Sequence, residues 1–258
     1  MGETAKHVSL SAETLLHFDT YIRDAETAME LDLPTRAPFL RTDLDPKRAD
    51  QIRTGAILAQ SWMGEGPKHV PDGLIHDWTA AAFAPGVTLQ ELLAVIQDYD
   101  NYKNVYRPEV IDSRLLSRNG NDFQIFLRFL KKKVITVVLD TDHDAHYVEL
   151  SPTRWTCRSS TTRICDVEHA GKPNETVMPP DHGFGFMWRL NSYWCFEERD
   201  GGVWLECRAI SLSRDIPTGL AWIIEPIVRK LPRESLIHTL QCTRQALVRE
   251  KISPEATV

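Results

Sequence analysis

The stretch SLSRDIPTGLAWIIEPIVRKLPRESLIHTLQCTRQAL, residues 211–247, decides the fold, because it joins the end of a strand to a long amphipathic helix. The helix is predicted over residues 219–251. Its apolar residues form two stripes at helical spacing, Leu220, Ile223, Ile227 and Leu231 in the first and Leu236, Leu240 and Leu247 in the second. Pro226 and Pro232 each remove a backbone donor, which predicts a kink or a break between two segments.

Six segments upstream of this helix alternate apolar and polar residues with a period of two, as β-strands do. They cover residues 110–117, 122–130, 133–146, 155–168, 187–198 and 203–213. Short turns separate them, among them Asn119-Gly120-Asn121 and the strong hairpin signal Asp200-Gly201-Gly202. The pattern indicates an antiparallel meander rather than parallel crossovers.

One more strand (75–83) and one helix (88–102, with Thr88 as N-cap) precede the meander. This order predicts an α+β fold in which a curved antiparallel sheet of about seven strands wraps around the C-terminal helix. Residues 1–74 are predicted to be an N-terminal helical extension on the outer face of the sheet, with helices over 9–31 and after Pro46 and a loop at 64–73. Residues 75–251 form the predicted ligand-binding domain, and 252–258 a tail.

The composition suits one large domain, or one domain with an extension: 258 residues, of which 42% are hydrophobic. A net charge of −6 gives no global reason to bind nucleic acid. No segment has the apolar length of a membrane span or the h-region of a signal peptide, so we expect a soluble chain. It is cytoplasmic as given, or exported if a signal peptide was removed.

The five cysteines are odd in number and form no C-x-x-C pair, so neither a disulfide framework nor a zinc ribbon is expected. The run Asp140–His146 holds oxygen and imidazole groups, but on a strand His143 and His146 would face opposite sides. We interpret this run as a solvated acidic hairpin. No metal and no cofactor is predicted, and the oligomeric state stays open.

A strongly curved sheet cannot pack along its whole inner face against a single helix. The gap between sheet and helix therefore holds either large side chains or a ligand pocket. By alternation Trp188, Trp194 and Phe196 share one face of their strand. In the next strand the alternate residues Cys207, Ala209 and Ser211 have small side chains. Small residues opposite aromatic walls favour the pocket. Filling of the same space by helix side chains is the alternative.

The segment VTLQELLAVIQDYDNYKNVYRPEVIDSRLL (87–116), together with 211–247, resembles the START, polyketide-cyclase and birch-pollen-allergen superfamily of helix-grip proteins. The resemblance covers roughly residues 75 to 250 in order and spacing. It implies a helix-grip fold and an internal site for a hydrophobic molecule. It also implies that Asp98, Tyr99 and Tyr102 lie near the mouth of this site, although a plain helix C-terminus explains them equally well.

Two further positions are candidates for contact with such a ligand. His76 and Trp78 share the small-residue face of the first strand, although a lone histidine is more often a satisfied core residue. Arg163 shares a face with Trp155 and Cys157 by strict alternation, so its guanidinium needs a partner, either an acidic ligand group or a structural carboxylate such as Glu206.

The candidate ligand-binding residues are therefore His76, Trp78, Tyr99, Arg163, Trp188, Trp194, Cys207, Ala209, Leu220, Ile223 and Ile227. No catalytic residue is assigned. The leading hypothesis is a binder or carrier of a lipid, an isoprenoid or a polyketide-like molecule, which is compatible with transient membrane contact. A cyclase or hydrolase that uses His76 and a strand arginine is the first alternative. A protein-interaction module built on the N-terminal helices is the second.

Overall fold

The computed structural model describes residues 7–32, 38–64, 66–132, 136–215 and 221–252; the side chains of 30–32, 221–229 and 249–252 are outside this description. The helices are α1 (Ala12–Asp32), α2 (Pro46–Arg53), α3 (Leu89–Gln97), α4 (Tyr102–Val105) and α5 (Ala221–Ile252), with 3₁₀ turns at Arg41–Leu44 and Tyr99–Asn101. The first strands are β1 (Val8–Ser9), β2 (Leu58–Ser61), β3 (Lys68–Val70), β4 (Gly73–Pro85), β5 (Val110–Asn119) and β6 (Asp122–Lys132). They are followed by β7 (Thr136–Ser151), β8 (Arg154–Glu168), β9 (Thr176–Val177), β10 (His182–Gly183), β11 (Arg189–Arg199) and β12 (Gly202–Arg214).

The main sheet is antiparallel and runs in the order β2-β4-β12-β11-β8-β7-β6-β5, with β3 on β4 and β9 on β8. The seven long strands are the seven that alternation predicts. The predicted total of about seven is too low, because the described part of the chain adds β2, β3 and β9 to give ten. These three strands have only two to four residues, too few for a period of two to be recognised, and β3 lies in the predicted loop 64–73.

Two local signals in the sequence mark a tight turn and a helix start, as predicted. Asp200 and Gly201 both have positive φ, 57° and 73°, and form the tight turn between β11 and β12. Thr88 caps α3 through a reciprocal capping box with Glu91.

The inner face of the sheet packs against α3 and α5. Alanines at positions 80, 82 and 84 of β4 are buried, and Leu236, Leu240 and Leu247 of α5 belong to the same apolar cluster. Small residues on the strand allow the helices to approach closely, which makes this end of the sheet a dense core.

Helix α5 is continuous from Ala221 to Ile252, so of the predicted kink or break near Pro226 and Pro232 the break is wrong, and the kink stays a prediction. Proline keeps a φ compatible with a helix and costs one hydrogen bond plus local steric strain. Packing of the leucines of α5 on the sheet stabilises the helix in spite of this cost.

The outer face carries the N-terminal segment. Phe18 and Ile22 of α1 pack against Ile75, Ile210 and Leu212 of the sheet. Closer to the middle of the sheet, a buried ion pair fastens the same segment: Arg208 Nη2 donates to Asp77 Oδ2 over 2.7 Å, and Tyr21 Oη donates to the same oxygen.

The indole of Trp62 lies between two guanidiniums, those of Arg208 and Arg41, whose Cζ atoms are 3.8 and 3.9 Å from the ring centroid. The division into an extension (1–74) and a ligand-binding domain (75–251) stays a proposal, and β2 and β3 pair with β4 across that boundary.

Candidate functional site

Two neighbouring rows of side chains cross the inner face of the sheet where β4 begins and β12 ends. The first row is His76, Ser211, Leu190, Thr161 and His143, in strand order β4-β12-β11-β8-β7. The second row is Trp78, Ala209, Ser192, Ser159 and Ala145 on the same five strands. Cross-strand pairing thus brings together residues from five separate stretches of the chain.

Seven of these side chains form a contiguous patch, which we call the floor: Trp78, Leu190, Ser192, Ser159, Thr161, Ala209 and Ser211. Each remains only partly buried, although it lies on the inner face of the sheet. In the next row, by contrast, Ala80, Cys207 and Cys157 are 0%, 1% and 5% exposed. Five of the seven floor residues are alanine, serine or threonine, so short side chains line most of the floor.

The predicted aromatic wall beside the floor is formed by one tryptophan, Trp194. It is partly buried, packs against the inner core and stacks on Phe196 with the ring planes 17° apart. Trp188 was predicted to share this face, and that prediction is wrong. It precedes the first residue of β11 and packs in the outer cluster with Ile75 and Ile210, so the alternation of the strand does not extend to it.

Arg163 lies on the outer face, contrary to its predicted position beside Trp155 and Cys157. In β8 the register slips, since Arg163 pairs with Asp142 while Thr161 pairs with His143, which leaves Thr162 as the extra residue of a bulge. The slip turns Arg163 outward, where Nε donates to Asp142 Oδ2 over 2.6 Å and Nη2 to Asp142 Oδ1 over 3.1 Å.

The predicted alternative partner, Glu206, instead accepts two backbone N–H bonds from residues 41 and 42. The guanidinium of Arg163 therefore has a structural partner in Asp142. Its two charge-assisted hydrogen bonds raise the pKa of Arg163 further above its ordinary value.

A histidine stands at each end of the first row. His76 is 3% exposed and its Nε2 lies 3.1 Å from Ser213 Oγ; His143 is 6% exposed and its Nε2 lies 2.9 Å from Thr141 Oγ1. Burial lowers the pKa of each imidazole to about 4. Both histidines are therefore neutral at pH 7.

The remaining predicted site residues lie outside the floor or outside the described residues. Cys207 is buried on the inner face in the row next to the floor, and Tyr99 is buried in the core, where its hydroxyl is 2.8 Å from that of Tyr147. Leu220 and the side chains of Ile223 and Ile227 lie outside the described residues.

The run 140–146 lies within β7 rather than in a hairpin. Asp140 pairs with Arg128, and His146 pairs with Asp122 at the surface. Within the described residues, no three histidine, cysteine, aspartate or glutamate side chains are grouped to hold a metal ion. The described helices also include none with the length and apolarity to cross a membrane.

Sequence reasoning did not select Ser159, Thr161, Ser192 or His143 for the site. Alternation places Ser192 on the same face as Trp194. That Ser159 and Ala209 lie beside Ser192 follows only from the register between β8, β11 and β12. The sequence suggests His143 only as a metal ligand. Its position opposite Thr161 follows from the register between β7 and β8, which is regular from the Glu149–Trp155 pair to this one.

No protein-family model and no curated protein sequence matches the chain. Among solved structures, it is similar to a STAR-related lipid transfer protein from Xanthomonas axonopodis, with 14% identity, a TM-score of 0.49 and coverage of 71% of this chain and 98% of that one. It is also similar to the Zhui aromatase/cyclase from a Streptomyces species, with 10% identity, a TM-score of 0.45 and coverage of 71% and 99%. A START superfamily protein from Mycobacterium smegmatis has 12% identity, a TM-score of 0.43 and coverage of 68% and 97%.

Similarities of this size do not establish a shared activity. The chain's own architecture is clear: one antiparallel sheet whose inner face packs against a 32-residue C-terminal helix, with α3 between the first two long strands. On these grounds the chain has an α+β helix-grip fold.

Proposed function

We propose that the chain binds a hydrophobic or amphipathic small molecule between the floor and α5, and that it carries this molecule rather than converting it. A lipid, an isoprenoid or a polyketide-like compound fits this description. One observation carries the proposal: seven contiguous side chains on the inner face of the sheet keep accessible surface, whereas Ala80, Cys207 and Cys157 in the next row have almost none. Trp194, which lies between the two cysteines, is partly buried like the floor.

The chemistry of the floor suits such a molecule. Trp78, Leu190 and Ala209 supply apolar surface, and Trp194 borders it. A ligand that buries roughly 200 Å² of apolar surface here would gain about 5 kcal/mol from leaving water. Most small-molecule sites combine an apolar lining with a few polar groups in this way.

The alternative, a cyclase or hydrolase, needs His76 as an acid or base and an arginine to polarise a carbonyl. The strand arginines with described ion pairs lie outside the floor: Arg158 pairs with Glu26 of α1, Arg163 with Asp142 and Arg208 with Asp77. A histidine with a pKa near 4 is also a weak base at neutral pH. These observations favour binding over catalysis.

The test compares the purified wild-type protein with Ser192→Phe, which fills the floor, and with Ser117→Phe, a control at an exposed position of β5. Solvent extracts are examined by mass spectrometry, and the neutral fluorescent probe N-phenyl-1-naphthylamine is titrated into each protein. We expect one bound molecule in wild type and in Ser117→Phe, and at least a tenfold loss of affinity in Ser192→Phe. Equal binding by all three proteins, or empty extracts together with no probe binding, would overturn the proposal.

A further inference from the structure

The polar groups of the floor have unmet hydrogen bonds. Among the described residues, the hydroxyls of Ser159, Ser192 and Ser211 form no hydrogen bond with the protein. They lie side by side across β8, β11 and β12, since Ser192 pairs with Ser159 and Ser211 pairs with Leu190 next to it. Hydroxyl and apolar side chains are therefore interspersed across the floor, with Leu190 between Ser211 and Thr161 and Ala209 between Trp78 and Ser192.

The two histidines at the ends of the first row, His76 and His143, each form a hydrogen bond through one ring nitrogen, Nε2. Thr141 Oγ1 donates its proton to Leu127 O over 3.0 Å, so it accepts from His143 and the proton of His143 resides on Nε2. Ser213 Oγ lies 3.1 Å from His76 Nε2 and 3.3 Å from Arg214 O, and donation to that carbonyl leaves it to accept from Nε2 in the same way. Neither Nδ1 forms a hydrogen bond with a described residue, and neither is among the fully buried side-chain atoms that have no partner. Each Nδ1 is therefore an acceptor that keeps some accessible surface in a side chain that is otherwise buried.

Fixed positive charge is missing from the described part of this surface. The inward-facing cation of β6, Lys131, already contacts Glu109 and donates to Ser235 Oγ over 2.7 Å. A carboxylate or phosphate on the floor would therefore find no ionic partner among the described side chains, and losing its hydration without one is costly.

We infer that the ligand is a neutral molecule that carries hydroxyl groups, and that these hydroxyls donate to Nδ1 of His143 and His76 while the serine hydroxyls meet its remaining oxygens. The inference rests on the proposed function and narrows it. A neutral alcohol that covers either Nδ1 replaces water as its donor, whereas an apolar group in the same place would leave the acceptor unmet, which is unfavourable. The two histidines are binding residues in this scheme, and no bond in the ligand is broken.

The experiment uses three probes with the same alkyl chain: 1-decanol, decyl methyl ether and decanoate. Their dissociation constants are measured at pH 7 by displacement of N-phenyl-1-naphthylamine from wild type, His143→Leu and His76→Leu. His146→Leu is the matched control, because His146 lies on the same strand as His143 but is exposed and paired with Asp122. Circular dichroism establishes that each variant is folded.

We expect wild type and His146→Leu to bind decanol about fivefold more tightly than the ether, and decanoate at least tenfold more weakly than decanol. Because decanol carries one hydroxyl and reaches one imidazole at a time, the variant that removes that imidazole, either His143→Leu or His76→Leu, should bind the ether normally and lose the preference for the alcohol. An unchanged preference in both variants would also overturn the inference. Equal affinity for alcohol and ether in wild type, or the tightest binding for decanoate, would overturn this inference and leave the proposed function standing. Failure of all three probes to displace the dye would instead count against the proposed function.

Discussion

Filling the floor should cost little stability, whereas filling the adjacent row should cost much. Ser192 is partly buried and lies between Ser159 and Ala209, so a phenyl ring at this position has space above two small neighbours. Cys207 also lies on the inner face but is only 1% exposed, between Ala80 and Trp194. Ser192→Phe therefore places a phenyl ring at a partly buried position of the inner face, and Cys207→Phe places the same ring at a fully buried one.

The magnitudes follow from packing. Burial of a phenylalanine ring stabilises by about 1.5–3 kcal/mol where space exists, which offsets the strain of placing it, so we expect Ser192→Phe to unfold within about 1 kcal/mol of wild type. Overpacking a dense core costs about 1–3 kcal/mol, and this loss is expected for Cys207→Phe.

The assay is urea denaturation followed by circular dichroism at pH 7, on protein freed of bound apolar molecules by solvent extraction. Extraction matters because a ligand held only by the folded wild type would add to its free energy of unfolding. A loss in Ser192→Phe as large as that in Cys207→Phe would refute the reasoning, since it would show that side chains already fill the floor.

Two further predictions concern stability. Because the folded-state pKa of His76 and of His143 is about 4 against 6.5 unfolded, their contribution is fully present above pH 6.5 and is lost as the pH falls towards 4. Between pH 7 and pH 5 this amounts to roughly 2 kcal/mol for each histidine, so urea unfolding of His143→Leu should depend less on pH than that of wild type; identical pH profiles would contradict the assignment. Asp77→Ala leaves the buried guanidinium of Arg208 without its carboxylate and should lower the free energy of unfolding by about 3–5 kcal/mol, measured by thermal denaturation, whereas a loss below 1 kcal/mol would show that the pair is not buried in solution.

The long elements of this fold could be predicted from the sequence because their signals are local. Alternation identifies the seven long strands, and Thr88 and Asp200-Gly201 mark a helix start and a hairpin through their own backbone preferences. Each of these signals lies within a few residues of the structure it specifies.

The site could be predicted only in part, because it depends on small irregularities and on pairing between distant strands. One extra residue in β8 sends Arg163 to the opposite face of the sheet. Trp188 does not lie on the expected face because β11 begins at Arg189, so Trp188 is outside the strand. Alternation does indicate that His76, Trp78, Trp194 and Ala209 face inward. Their partners Ser159 and Thr161 follow only from the register between strands.

The most direct test of the central claim is a crystal structure of the protein with N-phenyl-1-naphthylamine bound. We predict electron density for the probe between the floor and α5, in contact with Trp78, Ser192 and Ala209. Density for protein side chains throughout that space, with the probe absent or bound on the outer face of the sheet, would contradict it.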